Sequence, residues 1–185
     1  MRNFYYGVAA MVAIISTSAG AANVMRDGFF FSPYVGANYV YYHFTDTPTG
    51  IEDNYNGGDV HVGARIHQNF GLEAGYFRTE TGKNSDSGVP VESRFQGANI
   101  DLMLYAPITP QFELIGSVGA NYTEARVDVA GFGSAEGDDW DPRYGFGAQY
   151  WLTDDINART MVHYIQDNND GSDVIAPSVG LNIHF

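Results

Sequence analysis

The end of the chain alternates between apolar and small or polar side chains, residue by residue. Successive side chains of a strand point to opposite faces, so this period of two predicts a β-strand with one apolar face. The residues on that face are Val179, Leu181, Ile183 and the terminal Phe185. Such a strand is typical of an edge in a soluble β-sandwich or of the wall of a barrel that spans a membrane.

The same alternation recurs along the chain and predicts about eight strands. The predicted strands are Phe31–His43, Asp59–His67, Phe70–Glu80, Ser93–Tyr105, Phe112–Arg126, Trp140–Leu152, Ile156–Gln166 and Val174–Phe185. Short connections are expected at Gln68-Asn69, Ala106–Gln111 and Thr153–Asp155, and long ones at Phe44–Gly58, Thr81–Glu92, Val127–Asp139 and Asp167–Asp173. Short turns at one end and long loops at the other are typical of a membrane-spanning barrel.

The two faces of these strands differ in polarity. One face is apolar, and no charged residue interrupts it through the middle of any strand. A charge at mid-bilayer would cost roughly 2–4 kcal/mol, so this face is predicted to contact lipid. The opposite face is polar and rich in glycine, which leaves room for long polar side chains inside a narrow barrel. The sequence therefore predicts an all-β fold, an eight-stranded antiparallel up-and-down transmembrane β-barrel.

These features resemble the small eight-stranded outer-membrane β-barrel family, which includes the OmpA-like transmembrane domain and OmpX-like barrels. The segments that carry the resemblance are Tyr34–Tyr39, Phe70–Tyr76 and Gly180–Phe185. The resemblance implies the outer membrane of a Gram-negative bacterium, with extracellular long loops and periplasmic short turns. It also implies that the barrel-assembly machinery recognises an assembly signal formed by Val179, Leu181, Ile183 and Phe185.

Residues 1–22 are predicted to be a secretory signal peptide. Arg2 precedes an apolar run from Phe4 to Ile15, and Ala19-Gly20-Ala21 has the small-residue form of a cleavage site, which is the layout of such peptides. The apolar run is too short for a helix to span a bilayer. We expect cleavage after Ala21 or Ala22, which leaves residues 23–185 as one outer-membrane β-barrel domain.

Charge and cysteine content exclude two classes of protein. The chain has 9 Lys and Arg against 22 Asp and Glu, a formal net charge of −13 at pH 7. Nucleic-acid binding depends on basic residues that neutralise phosphates, so no nucleic-acid partner is expected. The sequence contains no cysteine, so an exported chain of this kind has no disulfide framework. The expected partners are outer-membrane lipid and lipopolysaccharide, and we expect a monomer.

Charged residues recur on the face that is predicted to point into the barrel. They are expected to pair, because an unpaired ion out of water keeps a desolvation cost of several kcal/mol. The predicted ionic network of the lumen contains Arg65, Glu73, Asp101, Glu113, Arg143 and Arg159. With a hairpin turn at Gln68-Asn69, Arg65 would lie opposite or one diagonal step from Glu73, so these two are expected to pair. The network is predicted to plug the lumen; a proton or ion path through it is the alternative.

Three arginines share the outward face near the predicted extracellular ends of their strands, namely Arg78, Arg94 and Arg126. Phosphate groups of lipopolysaccharide lie at this level, and a guanidinium binds phosphate in a bidentate fashion. We therefore expect contacts with lipopolysaccharide phosphates. Solubilising charges at the rim are the alternative interpretation. The acid-rich loop tips are expected to be solvated, with loose capture of a divalent cation as the alternative.

Catalysis is not expected from this sequence, and neither a cofactor nor a metal site is predicted. Some outer-membrane barrels are enzymes that place His with Ser or Asp at the rim or on the outer face, whereas His163 and Ser178 are both predicted to face inward. Ser117 is inward as well, without a histidine beside it in the predicted strand pairing.

The sequence therefore favours a non-catalytic barrel with a structural or surface-interaction role, such as membrane integrity, adhesion or recognition through extracellular loops. A narrow porin-like channel for ions or small solutes is the alternative hypothesis. A lipid-modifying barrel enzyme is the third.

Overall fold

The computed structural model describes residues 31–45, 53–86, 89–129, 133–168 and 172–185. The predicted signal peptide, residues 1–22, lies outside the described residues, and its cleavage after Ala21 or Ala22 stays a prediction. The first residues of the predicted barrel domain, 23–30, lie outside them as well.

Nine β-strands make up almost all of the described residues. They are β1 (Ser32–Phe44), β2 (Asn54–His67), β3 (Phe70–Thr79), β4 (Gly82–Asp86), β5 (Val89–Pro107), β6 (Phe112–Val129), β7 (Gly133–Trp151), β8 (Ile156–Ile165) and β9 (Val174–His184). Within this part of the chain, no helix is long and apolar enough to cross a membrane.

The strands close into a barrel. Neighbours pair antiparallel in the order β3-β2-β1-β9-β8-β7-β6-β5-β4. Pairing of β3 with β5, from Phe70↔Leu104 to Arg78↔Gln96, joins the two ends of that order. β4 pairs with the same strand β5 further along, at Gly82↔Ser93, so β4 continues β3 after a short break. The wall thus has eight antiparallel strand positions, which confirms the predicted eight-stranded antiparallel barrel.

Three of the predicted long connections are partly wrong as loops, because the strands continue into them. β2 begins at Asn54 rather than Asp59, β5 begins at Val89 rather than Ser93, and β7 begins at Gly133 rather than Trp140. These segments are polar or rich in glycine and aspartate. The backbone hydrogen bonds between strands nevertheless form, because they do not depend on the polarity of the side chains. Beyond the lipid, neither face of a strand has to be apolar. The described residues 127–129 and 133–139 therefore belong to the end of a protruding β6–β7 hairpin.

Two of the short connections are built in the same way. Thr109 Oγ1 accepts the backbone N–H of Phe112 at 3.0 Å, and Thr153 Oγ1 accepts that of Ile156 at 3.1 Å. A threonine hydroxyl that bonds the backbone ahead of it is a common device for tight turns. These turns, with the one at Gln68-Asn69, define the short-turn end of the barrel, and the opposite end is the long-loop end.

The alternation of the two faces is confirmed. Large apolar side chains on the outward face are widely exposed, for example Val60 (55%), Phe146 (66%) and Leu181 (52%). The inward positions between them carry buried polar or charged side chains, such as His61 and Asn182. A protein with its apolar residues outside and its polar residues inside is suited to lipid as its solvent.

We expect cysteine labelling on intact cells to establish which end faces outward. The chain has no cysteine of its own, so a single introduced thiol gives a clean signal. Ala135→Cys at the long-loop end should react with a membrane-impermeant maleimide, because Ala135 is exposed in the protruding hairpin. Asp154→Cys at the short-turn end, also exposed, should react only after the cells are broken. The reverse pattern would invert the topology.

Candidate functional site

The barrel interior is the candidate functional site, and its central feature is a carboxylate held from several strands. Glu73 Oε2 on β3 accepts Arg159 Nη1 at 2.6 Å and the hydroxyl of Tyr34 at 2.7 Å. His61 Nε2 lies 3.8 Å from the same oxygen. In the strand order, β3 and β8 are four positions apart in either direction. The Glu73–Arg159 ion pair therefore joins opposite walls of the barrel across its lumen.

A second ion pair lies inside the barrel between Arg65 on β2 and Glu113 on β6. Two guanidinium nitrogens each lie 3.1 Å from a different oxygen of Glu113, a bidentate arrangement. Gln149 also donates to Glu113 Oε2, and the guanidinium of Arg65 lies 4.1 Å from the ring centre of Tyr105. Charge-assisted bonds of this geometry offset part of the desolvation of both ions.

The third ion pair joins Arg143 on β7 to Asp101 on β5, with Nη1 2.8 Å from Oδ2. All six charged residues that the sequence places in the lumen are thus paired there. The pairing itself differs from expectation in one respect. Arg65 lies opposite Gly71, one diagonal step from Glu73, but it binds Glu113, and Glu73 binds Arg159. The expected Arg65–Glu73 pair is wrong, because side chains in a closed barrel reach across the lumen as well as along the sheet.

A chain of polar side chains lines the wall beside these ion pairs. Asp59 Oδ1 lies 2.9 Å from His61 Nδ1, and His61 Nε2 lies 2.8 Å from the amide of Asn182. That amide lies 2.9 Å from Asn157, which in turn lies 2.9 Å from Nε2 of His184. Asn157 and Asn182 are each 0% exposed. Continuous hydrogen bonding of this kind satisfies groups that would be costly to bury alone.

Glycine on the inner face makes room for these side chains. Gly63 lies opposite Tyr34 in the β1–β2 pairing. A Cβ atom at position 63 would lie 2.4 Å from the Tyr34 ring, closer than real contacts allow. The absence of a side chain at Gly63 therefore leaves space for the Tyr34 ring, whose hydroxyl reaches Glu73.

The interior toward the long-loop end contains an apolar cluster, which sequence reasoning missed. An aromatic cluster of buried residues contains Val40, Tyr42, Tyr55, Phe77, Ile165, Val174 and Ala176, with Phe44 and Phe95 packed against it. The signal was present, since Val40 and Tyr42 share the parity of the inward Asn38. The expectation of a wholly polar lumen concealed it.

Ser117 and His163 lie closer than the sequence suggests, on either side of Gly145 in the paired strands β6, β7 and β8. A Cβ at Gly145 would lie 2.2 Å from Ser117 Oγ and 2.8 Å from His163 Nε2. Ser117 Oγ nevertheless has no hydrogen-bond partner among the described residues. A serine nucleophile needs a base within hydrogen-bond reach, and that bond is not made here.

The three outward arginines lie close together near the long-loop end. Arg94 and Arg126 are direct cross-strand partners, and Arg78 lies on the neighbouring strand β3. Arg126 donates to Asp128 at 3.1 Å and to Glu136 at 3.0 Å. The hydrogen bond that Arg126 donates to Asp128 raises the pKa of the Arg126 guanidinium.

The residues of the predicted assembly signal lie where β9 closes against β1. Val179, Leu181 and Ile183 are exposed on the outward face, and the backbone N–H of Phe185 donates to Pro33 at 3.0 Å. Their recognition by the barrel-assembly machinery stays a prediction. Within the described residues, no group of three or more His, Cys, Asp or Glu is placed to hold a metal ion.

Closed antiparallel strands, an apolar outer wall and an ion-paired interior define a small membrane-spanning β-barrel protein. A family model for the outer membrane protein beta-barrel domain matches residues 8–185. The chain belongs to this family, and it resides in the outer membrane of a Gram-negative bacterium. No curated protein sequence matches the chain significantly.

Several solved structures share the fold. Ail, the attachment invasion locus protein of Yersinia pestis, solved with the heparin analogue sucrose octasulfate, is 15% identical with a TM-score of 0.63, over 84% of this chain and 99% of Ail. Neisserial surface protein A (NspA) is 14% identical with a TM-score of 0.62, over 84% of this chain and 97% of its own. The N-terminal barrel domain of Pseudomonas aeruginosa OprF is 14% identical with a TM-score of 0.53, over 81% of this chain and 97% of the OprF domain. At these identities the likeness shows the fold.

A double-mutant cycle on Glu73 and Arg159 should show strong coupling. Removing one partner of a buried pair leaves an uncompensated charge and costs about 3–5 kcal/mol, whereas removing both can be nearly neutral. Glu73→Gln and Arg159→Met should each lower the free energy of unfolding in lipid vesicles, and the double variant should lose less than their sum, by about 1–3 kcal/mol.

The matched control for this cycle is the exposed pair Arg126 and Glu136, where water screens the charges. Arg126→Met and Glu136→Gln should show a much smaller coupling in the same urea titration. Additive losses at Glu73 and Arg159 would mean that the two side chains do not meet across the lumen.

Proposed function

We propose that the protein is a non-catalytic outer-membrane barrel with a structural and surface-interaction role. The observation that carries the proposal is the Glu73–Arg159 bond, which crosses the lumen between opposite walls. Side chains fill the ion-paired part of the lumen, so a substrate has little room there. The outer wall and the long-loop end then remain as the surfaces on which partners can act.

The names of two structural relatives support a role at the cell surface, since Ail is an attachment invasion locus protein and NspA a surface protein. The ligand chemistry of Ail does not carry over to this chain. Sucrose octasulfate is a polyanion, whereas the protruding β6–β7 hairpin here exposes Glu136 and Asp138. A partner that meets these loops should carry positive charge.

Lipopolysaccharide phosphate is the partner we propose for the outward arginines. Arg94 and Arg126 lie directly opposite each other on the adjacent strands β5 and β6, and like charges in that position are destabilising. A phosphate bound by both guanidinium groups would offset that repulsion. At Arg126 it would compete with Asp128 and Glu136, so Arg78 and Arg94 should contribute most of the binding.

Substitution of these arginines tests the proposal. Lipopolysaccharide added to the purified protein in nanodiscs should raise its thermal unfolding midpoint, because a ligand that binds the folded state stabilises it. Arg78→Gln together with Arg94→Gln should abolish most of that rise, and the two Lys substitutions should restore part of it. A full rise in the double Gln variant would contradict phosphate recognition by these residues.

A narrow channel is the second candidate function, and one observation favours it. A cavity of about 400 Å³ toward the long-loop end adjoins a second cavity of about 10 Å³, lined in part by Asp59, Arg143 and His163. The smaller one has room for about one water molecule. Water in this position would bring solvent to the edge of the ion pairs.

Conductance in a planar bilayer separates the two candidates. The wild-type protein should show no steady single-channel current, because the Glu73–Arg159 pair closes the lumen. The double variant Glu73→Ala and Arg159→Ala removes both long side chains and should raise the open probability at least tenfold. Steady wild-type current of the same size as that of the double variant would favour the channel over the closed barrel.

A further inference from the structure

The cavity toward the long-loop end has a wall of aromatic rings. It occupies about 400 Å³, and Tyr42, Phe44, Phe77 and Phe95 line it. The rings of Phe44 and Phe95 lie 4.8 Å apart and those of Tyr42 and Phe77 lie 5.6 Å apart, so the four form two packed pairs. The volume is within the range of small-molecule sites. Ring faces offer water no strong hydrogen bond, so an apolar group that displaces water from this wall gains free energy.

One polar group in this wall lacks a partner. Four tyrosines are buried in the described part of the barrel, namely Tyr34, Tyr42, Tyr55 and Tyr105. The hydroxyls of Tyr34 and Tyr105 bond to each other at 3.1 Å, and that of Tyr55 bonds to Ser93 at 2.6 Å. The Tyr42 hydroxyl bonds to no described residue, although Tyr42 is only 6% exposed. A buried tyrosine hydroxyl normally has a hydrogen-bond partner, so this one is available to a ligand.

The Tyr42 hydroxyl lies at the inner side of the cavity. Tyr42 and Asn121 line both this cavity and the deeper one of about 10 Å³. Ser117 Oγ is sealed inside the barrel without a bond, whereas the Tyr42 oxygen is not sealed and meets open space. The amide of Asn121 is engaged elsewhere, since Nδ2 donates to Thr123 Oγ1 at 2.7 Å. The cavity therefore combines an aromatic wall with one available hydroxyl.

The aspartates on the opposite side of the cavity already accept hydrogen bonds from the chain. Asp139 accepts the backbone N–H of Trp140 at 2.7 Å, and Asp141 accepts that of Asn168 at 3.3 Å. These carboxylates do not require a bound cation. The class of ligand is therefore set by the aromatic wall and by the Tyr42 hydroxyl.

We infer that this cavity binds a small neutral molecule that combines an apolar ring with one hydroxyl or carbonyl oxygen. The oxygen would accept a hydrogen bond from the Tyr42 hydroxyl, and the ring would pack against Phe77 and Phe95. A charged molecule would lose its hydration against the aromatic wall. A hydrocarbon would displace water from the Tyr42 hydroxyl and leave it without a bond.

The ligand is bound in this cavity rather than passed through the barrel. The Arg143–Asp101 and Glu73–Arg159 ion pairs lie deeper in the lumen and fill it. The inference does not depend on the proposed surface role, because it concerns the interior of the barrel and not its outer wall.

Calorimetry on the full barrel in nanodiscs tests the inference with two probes of nearly equal size, 4-methylphenol and toluene, after subtraction of their uptake by empty nanodiscs. Both should bind to the wild-type protein. Tyr42→Phe removes only the hydroxyl, so the ratio of the affinity for 4-methylphenol to that for toluene should fall about tenfold. Phe95→Leu, at a half-buried position, removes a ring from the wall and should weaken binding of both probes about threefold.

The matched control is Tyr55→Phe, which removes a hydroxyl from the same aromatic cluster, but one that is bonded within the protein to Ser93. Its affinity ratio should stay within about twofold of the wild-type ratio. An equal fall of the ratio in both variants would overturn the inference, because the cluster as a whole would then determine binding.

A third probe, 4-methylbenzylammonium, tests whether the ligand is neutral. It should bind more weakly than 4-methylphenol, because its charge loses hydration against the rings. Tighter binding of this cation would overturn the inference. No binding of 4-methylphenol to the wild-type protein, or an unchanged affinity ratio in Tyr42→Phe, would overturn it as well.

Discussion

Closure of the backbone hydrogen-bond ladder is the constraint on which the rest of this structure depends. Lipid offers no partner to an N–H or C=O group, and each unsatisfied group costs several kcal/mol there. Pairing of β3 with β5 removes the two free edges that a sheet of eight positions would otherwise expose. Closure at eight positions also sets the width of the interior, which is only enough for side chains.

The narrow interior explains why the ion pairs run across the lumen. A long arginine side chain such as that of Arg159 spans from one wall toward the other and meets Glu73 at 2.6 Å. Both ions lose their hydration at this position, and the hydrogen bond that Tyr34 donates to Glu73 offsets part of that cost. Cross-lumen pairing links strands that are far apart in the ladder, and it makes the interior one connected unit.

The sequence predicts those properties that depend on alternation alone. The number of wall positions, the lipid face and the set of inward charges all follow from the parity of residues such as Glu73 and Leu181. The partner of each charge does not, because it depends on how the closed barrel brings distant strands together. The pairing of adjacent strands in a hairpin predicts an ion pair between Arg65 and Glu73. In the closed barrel, Arg65 instead binds Glu113. Strand ends are missed for another reason, since outside the lipid a strand needs no apolar face, as at Gly133.

The contact between Gly63 and Tyr34 limits how such an interior can evolve. A methyl group at position 63 would strike the Tyr34 ring, and through the Tyr34 hydroxyl the displacement would reach Glu73 and then Arg159. The two positions are therefore not free to drift independently. A larger residue at position 63 requires that the ring at position 34 shrink or shift, so the fold constrains the order in which these two positions can change.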